Sequence, residues 1–266
     1  MLNAAQFDFG ENWDEFSEKA LSPDAVRRAK AEFQELIAPI NLAGIAFLDI
    51  GFGQGLTLLT AASLGANTVG CDINPRCAAV LSKNIKYFPT LSERPPVVVG
   101  SILDNQTVEL LRGATRTGNY GIVHAWGVLH HTGDMEQAIK NAASLVAPHG
   151  VLVLAIYNRH WSSKPWLLIK WAYVHSPRWF QRTLIGVFYP IIYAAKWLVT
   201  LKDPTRQDRG MNFYYNVVDW VGGYPYEYAT VDQVISLLRK QHFAIVKVKR
   251  AVVPTGCNEF LFRREE

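Results

Sequence analysis

Three short stretches hold residue types whose spacing can support chemistry. In LDIGFGQG, Asp49 is followed by Gly51, Gly53 and Gly55 at alternate positions, and glycines so placed let a backbone turn sharply and approach a ligand closely. In NTVGCDIN a carboxylate, Asp72, closes a β-branched run. It stands about 20 residues beyond the glycines, where a carboxylate can accept hydrogen bonds from both hydroxyls of a ribose. In AWGVLHHTGD, residues 125–134, His130 and His131 stand side by side after an apolar run. An imidazole with an ordinary pKa near about 6.5 is largely neutral at cellular pH and can take up a proton.

The pattern D-x-G-x-G-x-G differs from the dinucleotide pattern G-x-G-x-x-G, whose third glycine lets a helix pack beside a pyrophosphate. This favours a nucleoside without phosphate over a nicotinamide dinucleotide. A residue just beyond the fourth strand is where a base belongs, because ligands of open α/β sheets bind outside the carboxyl ends of the strands. Neighbouring residues after a strand point in different directions, so one histidine faces an acceptor. The other bonds backbone or caps the helix that begins near Asp134. Of the two, His130 is preferred as the base, with His131 the other candidate and a purely structural role for both as an equal alternative. A metal reading lacks a third ligand at suitable spacing, so no metal is expected.

The elements that must position these residues follow from periodicity. From IAFLDIG to VLVLAIY, residues 45–157, short β-branched runs alternate with helical patterns. Apolar strands buried on both faces then predict a doubly wound parallel sheet with helices on each side. The first forty residues read as helices outside the sheet, with Asp24 placed to cap AVRRAKAEFQELIA. After Tyr157 comes an aromatic and basic segment, and then TVDQVISLLRKQ as a helix and FAIVKVKRAVV and CNEFLFRR as strands. The expected organisation is one domain over 1–266. It has a helical cap at 1–43, a cofactor-binding core at 44–157, a helical insertion or lid at 158–229, and a closing helix and strand pair at 230–266.

At 266 residues, 49% hydrophobic and 19% charged, the chain is long enough to bury one substantial core. Three cysteines make neither a disulfide framework nor a zinc spacing, and the acidic, aromatic N-terminus lacks the pattern of a secretory signal. Together these favour a cytoplasmic location. The uncharged stretch at 183–195 is too short to cross roughly 30 Å of hydrocarbon. The net charge of +4 is concentrated: no acid falls between Glu136 and Asp203, a span holding Arg159, Lys164, Lys170, Arg178, Arg182, Lys196 and Lys202.

From about Ile45 to Tyr157, and again after the insertion, the chain resembles the class I S-adenosylmethionine-dependent methyltransferases. LDIGFGQG is similar to the family's first motif, VGCDINP to its second, VVVGSILD to its third and YGIVHAWGVLHH to its fourth. The resemblance implies a mostly parallel, seven-stranded Rossmann-like sheet with S-adenosylmethionine as cofactor and S-adenosylhomocysteine as product. It places Asp49, Gly51, Phe52, Gly53, Gln54 and Gly55 along the methionine part, Asp72 on the ribose, and Ile73 and Ile102 on the adenine, with Trp126 at the end of the fourth strand. Ser101 stands where many relatives carry an acid at the adenine amino group. Within the family the chain is similar to the ubiquinone-biosynthesis-like O-methyltransferases.

The acceptor is expected to be a hydroxyl of a small molecule, aromatic or lipid-linked. The fourth strand lacks both the N/D-P-P-Y/F run of base-amine methylation and the cysteine nucleophile of pyrimidine methylation, so a nucleic-acid substrate is disfavoured. An RNA methyltransferase and a non-catalytic cofactor-binding module stand as the rivals. The segment RGMNFYYNVVDWVGGYPYEYA supplies the candidate acceptor pocket: Arg209, Met211, Tyr215, Asn216, Asp219, Tyr224, Tyr226 and Glu227. FDFGENW, with Phe9 and Trp13, completes a lid, and Trp13 is counted with the acceptor-binding residues. In residues 178–202 a stripe of Phe180, Leu184, Val187, Ile191, Ala194 and Leu198 recurs at helical spacing, with Pro190 expected to kink or split the helix. That stripe either packs on the protein, on a second copy in a homodimer through residues 161–202, or on the inner face of a membrane.

Overall fold

In the computed structural model, which describes residues 6–205 and 211–265, two helices precede the sheet. These are α1 (Phe9–Lys19) and α2 (Pro23–Ile37), and the alternating core follows as β1 (Ala46–Ile50), α3 (Leu56–Ser63), β2 (Asn67–Asp72), α4 (Pro75–Asn84), β3 (Val97–Val99), α5 (Asn105–Gly113), β4 (Tyr120–Trp126), α6 (Met135–Ser144) and β5 (Val146–Tyr157). Three further helices, α7 (Ser163–Val174), α8 (Arg178–Thr200) and α9 (Phe213–Gly222), form the insertion. The closing elements are α10 (Val231–Arg239), β6 (Phe243–Lys249) and β7 (Cys257–Arg264).

The seven strands lie in the order β3-β2-β1-β4-β5-β7-β6. Strands β1 to β5 pair in parallel, and β7 runs antiparallel to both β5 and β6. This is the mostly parallel seven-stranded sheet implied by the resemblance. Its order reverses between β1 and β4, the crevice where open α/β sheets hold ligands. In that register Asp49 stands opposite His124.

Strand alternation sends Leu48, Val123 and Leu152 into a core with Leu111, Ile139 and Leu238, and sends Phe47, Ile122 and Val153 into one with Phe33, Leu59 and Leu81. Both faces are therefore covered by helices, which is why these strands read as nearly continuous apolar runs. A third, smaller core joins Phe7, Tyr173, Ile185, Phe213, Val217 and Val221 of the N-terminal segment and the insertion.

Three local expectations are corrected. Helix α2 starts at Pro23, and Ser22, not Asp24, accepts from the Ala25 amide at 3.2 Å; Pro23 suits the first helical position, where a missing N–H costs nothing. Asp24 instead pairs with Arg27 in the first turn. Pro190 does not split α8, which is a single helix over Arg178–Thr200. Ile185, Phe188, Tyr189 and Ile192 anchor it on both sides of the proline, while Pro190 itself is exposed. The third correction touches one alternative only, packing of the whole expected stripe on the protein: Leu184 of that stripe packs inward with Ile185, Phe188 and Ile192, while Val187, Ile191 and Leu198 are 51%, 53% and 66% exposed.

Candidate active site

The turn after β1 is built around three glycines in the left-handed region: Gly51 (φ 66°), Gly53 (φ 53°) and Gly55 (φ 80°). Each is also tightly approached. A Cβ on Gly51 would lie 2.3 Å from Val128 Cγ2, one on Gly53 2.8 Å from Trp13 Nε1, and one on Gly55 2.3 Å from Leu81 Cδ1. Glycine is required there both by backbone conformation and by space. Gly51, Phe52, Gly53 and Gln54 line a cleft of about 730 Å³, whereas Gly55 lies behind it as the residue that starts α3.

Asp72 ends β2 with its carboxylate held by backbone amides: Gly53 N–H donates to Oδ2 at 3.0 Å and Asn74 N–H to Oδ1 at 2.9 Å. Burial raises its pKa, against the effect of those two donors. Ile73, Ser101 and Ile102 line the same cleft, with the Ser101 hydroxyl accepting from the Leu103 amide at 3.2 Å. Asp104 is drawn away to cap α5, where it accepts from the Gln106 amide.

Asp49 is buried beside His124, with Oδ1 and Nδ1 2.6 Å apart. The His124 ring stacks on Trp126, centroids 6.0 Å apart and planes 6° apart, and all three residues line the cleft. Sequence reasoning passed over His124. The available signal was a lone polar residue inside the buried run YGIVHAW, one strand away from a buried acid. Nε2 of His124 and Oε1 of Gln54 are buried without a hydrogen-bond partner among the described residues, an exception to the usual pairing of buried polar groups. A carboxylate fixed by two amides, a glycine cradle and two unsatisfied polar atoms fit a nucleoside that carries further polar groups.

The two histidines sit in a one-turn helix, Leu129–His131, after β4, and they occupy different places. His131 lines the cleft, and its Nδ1 lies 2.6 Å from the Pro225 carbonyl, which fixes the proton on that nitrogen. His130 is fully buried behind it, 4.0 Å from the Tyr157 ring centroid to centroid, and does not line the cleft. Burial, reinforced by Lys170, pushes His131 down to about 3; burial, then His131 and Lys170, hold His130 well below the usual histidine range. Both imidazoles are neutral at cellular pH.

The Lys170 found beside them is a second residue missed from sequence. It is fully buried, donates to the Trp220 carbonyl, and lies 4.7 Å from the Trp220 ring and 4.8 Å from that of Tyr226. Burial lowers it to about 7 despite the nearby Asp219 carboxylate. Asp219 lines the cleft and accepts from the Asn12 side-chain amide at 2.6 Å. Burial raises it to about 7, against the pull of Asn12 and Lys170.

Of the other acceptor-pocket residues expected from sequence, Trp13, Met211 and Asn216 line the cleft, as does Phe9 of the lid. Four do not. Tyr215 packs on Phe16 with its hydroxyl near the Glu15 carbonyl. Tyr226 belongs to the cage around Lys170, and Tyr224 is edge-on to His175. Glu227 accepts from the Gly133 and Met135 amides at the start of α6. The helix period and the path after it decided this outcome: α9 turns Asn216 and Asp219, not Tyr215, to the cleft, and the segment after it runs past His130, His131 and Tyr157, where its backbone rather than its side chains meets the site. Arg209 lies outside the described residues.

A family model described as a methyltransferase domain matches residues 24–214. Among curated proteins, the ubiquinone biosynthesis O-methyltransferase of Rhodopseudomonas palustris (strain BisA53) is 29% identical over 142 residues, covering 53% of this chain and 51% of that one. The chain thus spans about half the length of the curated relatives it matches. Among solved structures, magnesium protoporphyrin IX methyltransferase from Synechocystis PCC 6803 with bound SAH aligns at TM-score 0.54 and 14% identity, over 97% of this chain and 89% of that one. A Burkholderia thailandensis 1,6-didemethyltoxoflavin-N1-methyltransferase aligns at TM-score 0.51 and 14% identity, over 97% and 84%. At these identities the solved structures share the fold.

Proposed function

The chain belongs to the methyltransferase-domain family, and from that premise we propose that it transfers the methyl group of S-adenosylmethionine to a hydroxyl of a small aromatic or lipid-linked molecule. The observation that carries the reading is one cleft that gathers Asp72, the glycine turn and the His124–Asp49 pair together with His131 and Asp219.

In this reading Asp72 receives the ribose hydroxyls, Ile73 and Ile102 flank the adenine, and Gly51, Gly53 and Gln54 run along the methionine portion. Bound there, the sulfonium supplies an electrophilic methyl carbon. When bound, S-adenosylmethionine would give that methyl to an acceptor hydroxyl and leave as S-adenosylhomocysteine, the hydroxyl proton passing to a group of the protein. What the protein contributes is in-line placement and a proton acceptor. His131 fills the second role: the Pro225 carbonyl at Nδ1 and the Gly223 backbone fix the ring, and it is the histidine of the pair that faces the cleft, where an acceptor would sit. His130, behind it, holds the ring in place.

A second reading gives the proton to Asp219. It faces the same cleft, and its pKa, raised by burial, lies nearer to the operating pH than that of His131, the condition under which a general base works best. The enzyme acts on the cytoplasmic side in either reading.

Titration calorimetry with S-adenosylhomocysteine tests the cofactor site. Wild type binds, and Asp72→Ala weakens binding by at least about tenfold, as loss of a charge-assisted contact requires. Radiolabelled methyl transfer onto a panel of hydroxylated quinone precursors, lipids and sugars then tests the acceptor class. Cofactor binding with no transfer to any of them would favour a non-catalytic module, and transfer to RNA would favour the nucleic-acid rival.

A further inference from the structure

Helix α8 carries an apolar row that the described protein leaves uncovered, with Arg178, Arg182 and Lys196 on its other side. The inner side packs Leu184, Ile185, Phe188 and Ile192 against Phe213, Val217 and their neighbours. The outer side shows Val187, Ile191 and Leu198, each more than half exposed, and Trp179 and Trp197 stand exposed beside them. Monomeric soluble proteins rarely expose a contiguous apolar patch of this kind without a partner for it. By length and composition α8 is apolar enough to cross a membrane, but two features argue that it lies along one. Its inner side is already held by the protein. The uncharged stretch between Arg182 and Lys196, residues 183–195, measures only about 20 Å as a helix against about 30 Å of hydrocarbon.

The charges around the patch select the partner. Lys164, Arg178, Arg182 and Lys202 are exposed, and no acid occurs between Glu136 and Asp203. Arg178 meets Glu11 at 3.5 Å across the surface. At the helical period Arg178 and Arg182 fall on the side of α8 away from Val187 and Leu198, and cations on one side with an aliphatic and tryptophan row on the other is the pattern of an interfacial helix. An anionic lipid surface complements those cations, with tryptophan rings at headgroup level and the aliphatic row below it.

We propose that the outer side of α8 docks on an anionic lipid bilayer, with the helix axis in the plane of the interface. Helix α9 stands between this face and the cleft: Phe213, Val217 and Val221 join the core under α8, and Asn216 and Asp219 line the cleft. For a lipid-linked acceptor, a class that rests on the reading above, docking would bring the substrate within one helix layer of the site. The docking itself requires no methyl transfer.

Flotation of the full chain with vesicles tests the proposal independently of catalysis. At low salt, wild type floats with vesicles of phosphatidylcholine mixed with phosphatidylglycerol, and much less with phosphatidylcholine alone. The double variant Val187→Glu/Leu198→Glu loses at least about tenfold in the vesicle-bound fraction. Val252→Glu, at an exposed position outside the insertion, keeps wild-type binding, and unchanged melting temperatures show that the variants fold. Absence of flotation with the anionic vesicles overturns the proposal, as does equal flotation with phosphatidylcholine alone. A wild-type dimer in solution that Val187→Glu/Leu198→Glu splits also overturns it, in favour of a second copy.

Discussion

Asn12 donates its side-chain amide to the Asp219 carboxylate at 2.6 Å, tying α1 to α9, two helices that both line the cleft. The same amide lies 3.3 Å from the Tyr215 carbonyl. At the N-cap of α1, one turn before Asn12, Asp8 accepts from the Asn74 side-chain amide at 2.6 Å, next to Asp72. The N-terminal helix therefore touches both ends of the candidate site, and Trp13 lies against Gly53 between them.

Asn12→Ala should loosen this cover. Above about pH 7, where Asp219 is ionised, a hydrogen bond to its half-buried carboxylate contributes about 1.5 kcal/mol, the low end for charged groups. Amide hydrogen exchange over residues 9–19 should accelerate by roughly tenfold or more, and S-adenosylhomocysteine should bind more weakly. Unchanged exchange in α1 would show that the helix is held by its other contacts.

The pH dependence of stability carries the signature of Asp219. Burial raises its pKa from 3.8 to about 7, so between those values the folded chain keeps a proton that the unfolded chain releases, and stability falls as pH rises. Buried His131, lowered to about 3, acts in the opposite sense: the unfolded chain binds a proton that the folded chain refuses, and stability falls as pH drops below the ordinary histidine value. Asp219→Asn removes the first effect alone. Urea unfolding from pH 4.5 to pH 6.5 should show the variant gaining on wild type as pH rises, by no more than about 1.4 kcal/mol per unit. The gain should fall short of that limit because Asp219 faces the cleft. A difference between the two proteins that does not vary with pH would remove the buried-carboxylate account.

The adjacent histidines should separate cleanly. At saturating acceptor, His131→Ala should lower kcat by roughly 10²–10⁴, the usual worth of general-base assistance. His130→Ala should instead cost about 2–4 kcal/mol of folding free energy, because it empties space beside Tyr157 in a closed interior, while kcat stays within a few-fold. Should both variants keep full turnover and Asp219→Asn lose it, the base is the carboxylate.

Two glycines test whether the turn after β1 is limited by conformation or by space. Gly44 (φ 75°) has nothing within 4 Å of an added Cβ, whereas Gly51 (φ 66°) would meet Val128 at 2.3 Å. Gly44→Ala should cost about 1–2 kcal/mol, the strain of a left-handed residue with a Cβ. Gly51→Ala should cost more, because Val128 must also move, and it should weaken S-adenosylhomocysteine binding. Equal losses in denaturant unfolding would show that Val128 yields freely.

Much of this molecule was legible in its linear pattern. Continuous apolar runs alternating with helical ones dictate strands buried on both faces, and a strand buried that way has little choice but a parallel, doubly wound sheet. LDIGFGQG and the acid of VGCDIN are local signals too: each is a few residues long, and the turn that presents them is made by those residues themselves. What sequence could not decide depends on contacts between distant segments. Whether His130 or His131 meets the cleft is set by the Pro225 carbonyl, 94 positions away from His131. His124 gains meaning only through Asp49 on the adjacent strand, and Lys170 only through the rings of Trp220 and Tyr226. In α8 apolar residues fall on more than one side of the helix, so periodicity cannot say which row is covered. The small core around Phe7 and Phe213 chose the row of Ile185, and left Val187, Ile191 and Leu198 facing outward. Local pattern specifies elements because its causes act over one or two turns of chain; the charge states and faces of a site are set by burial, which exists only after the chain has folded.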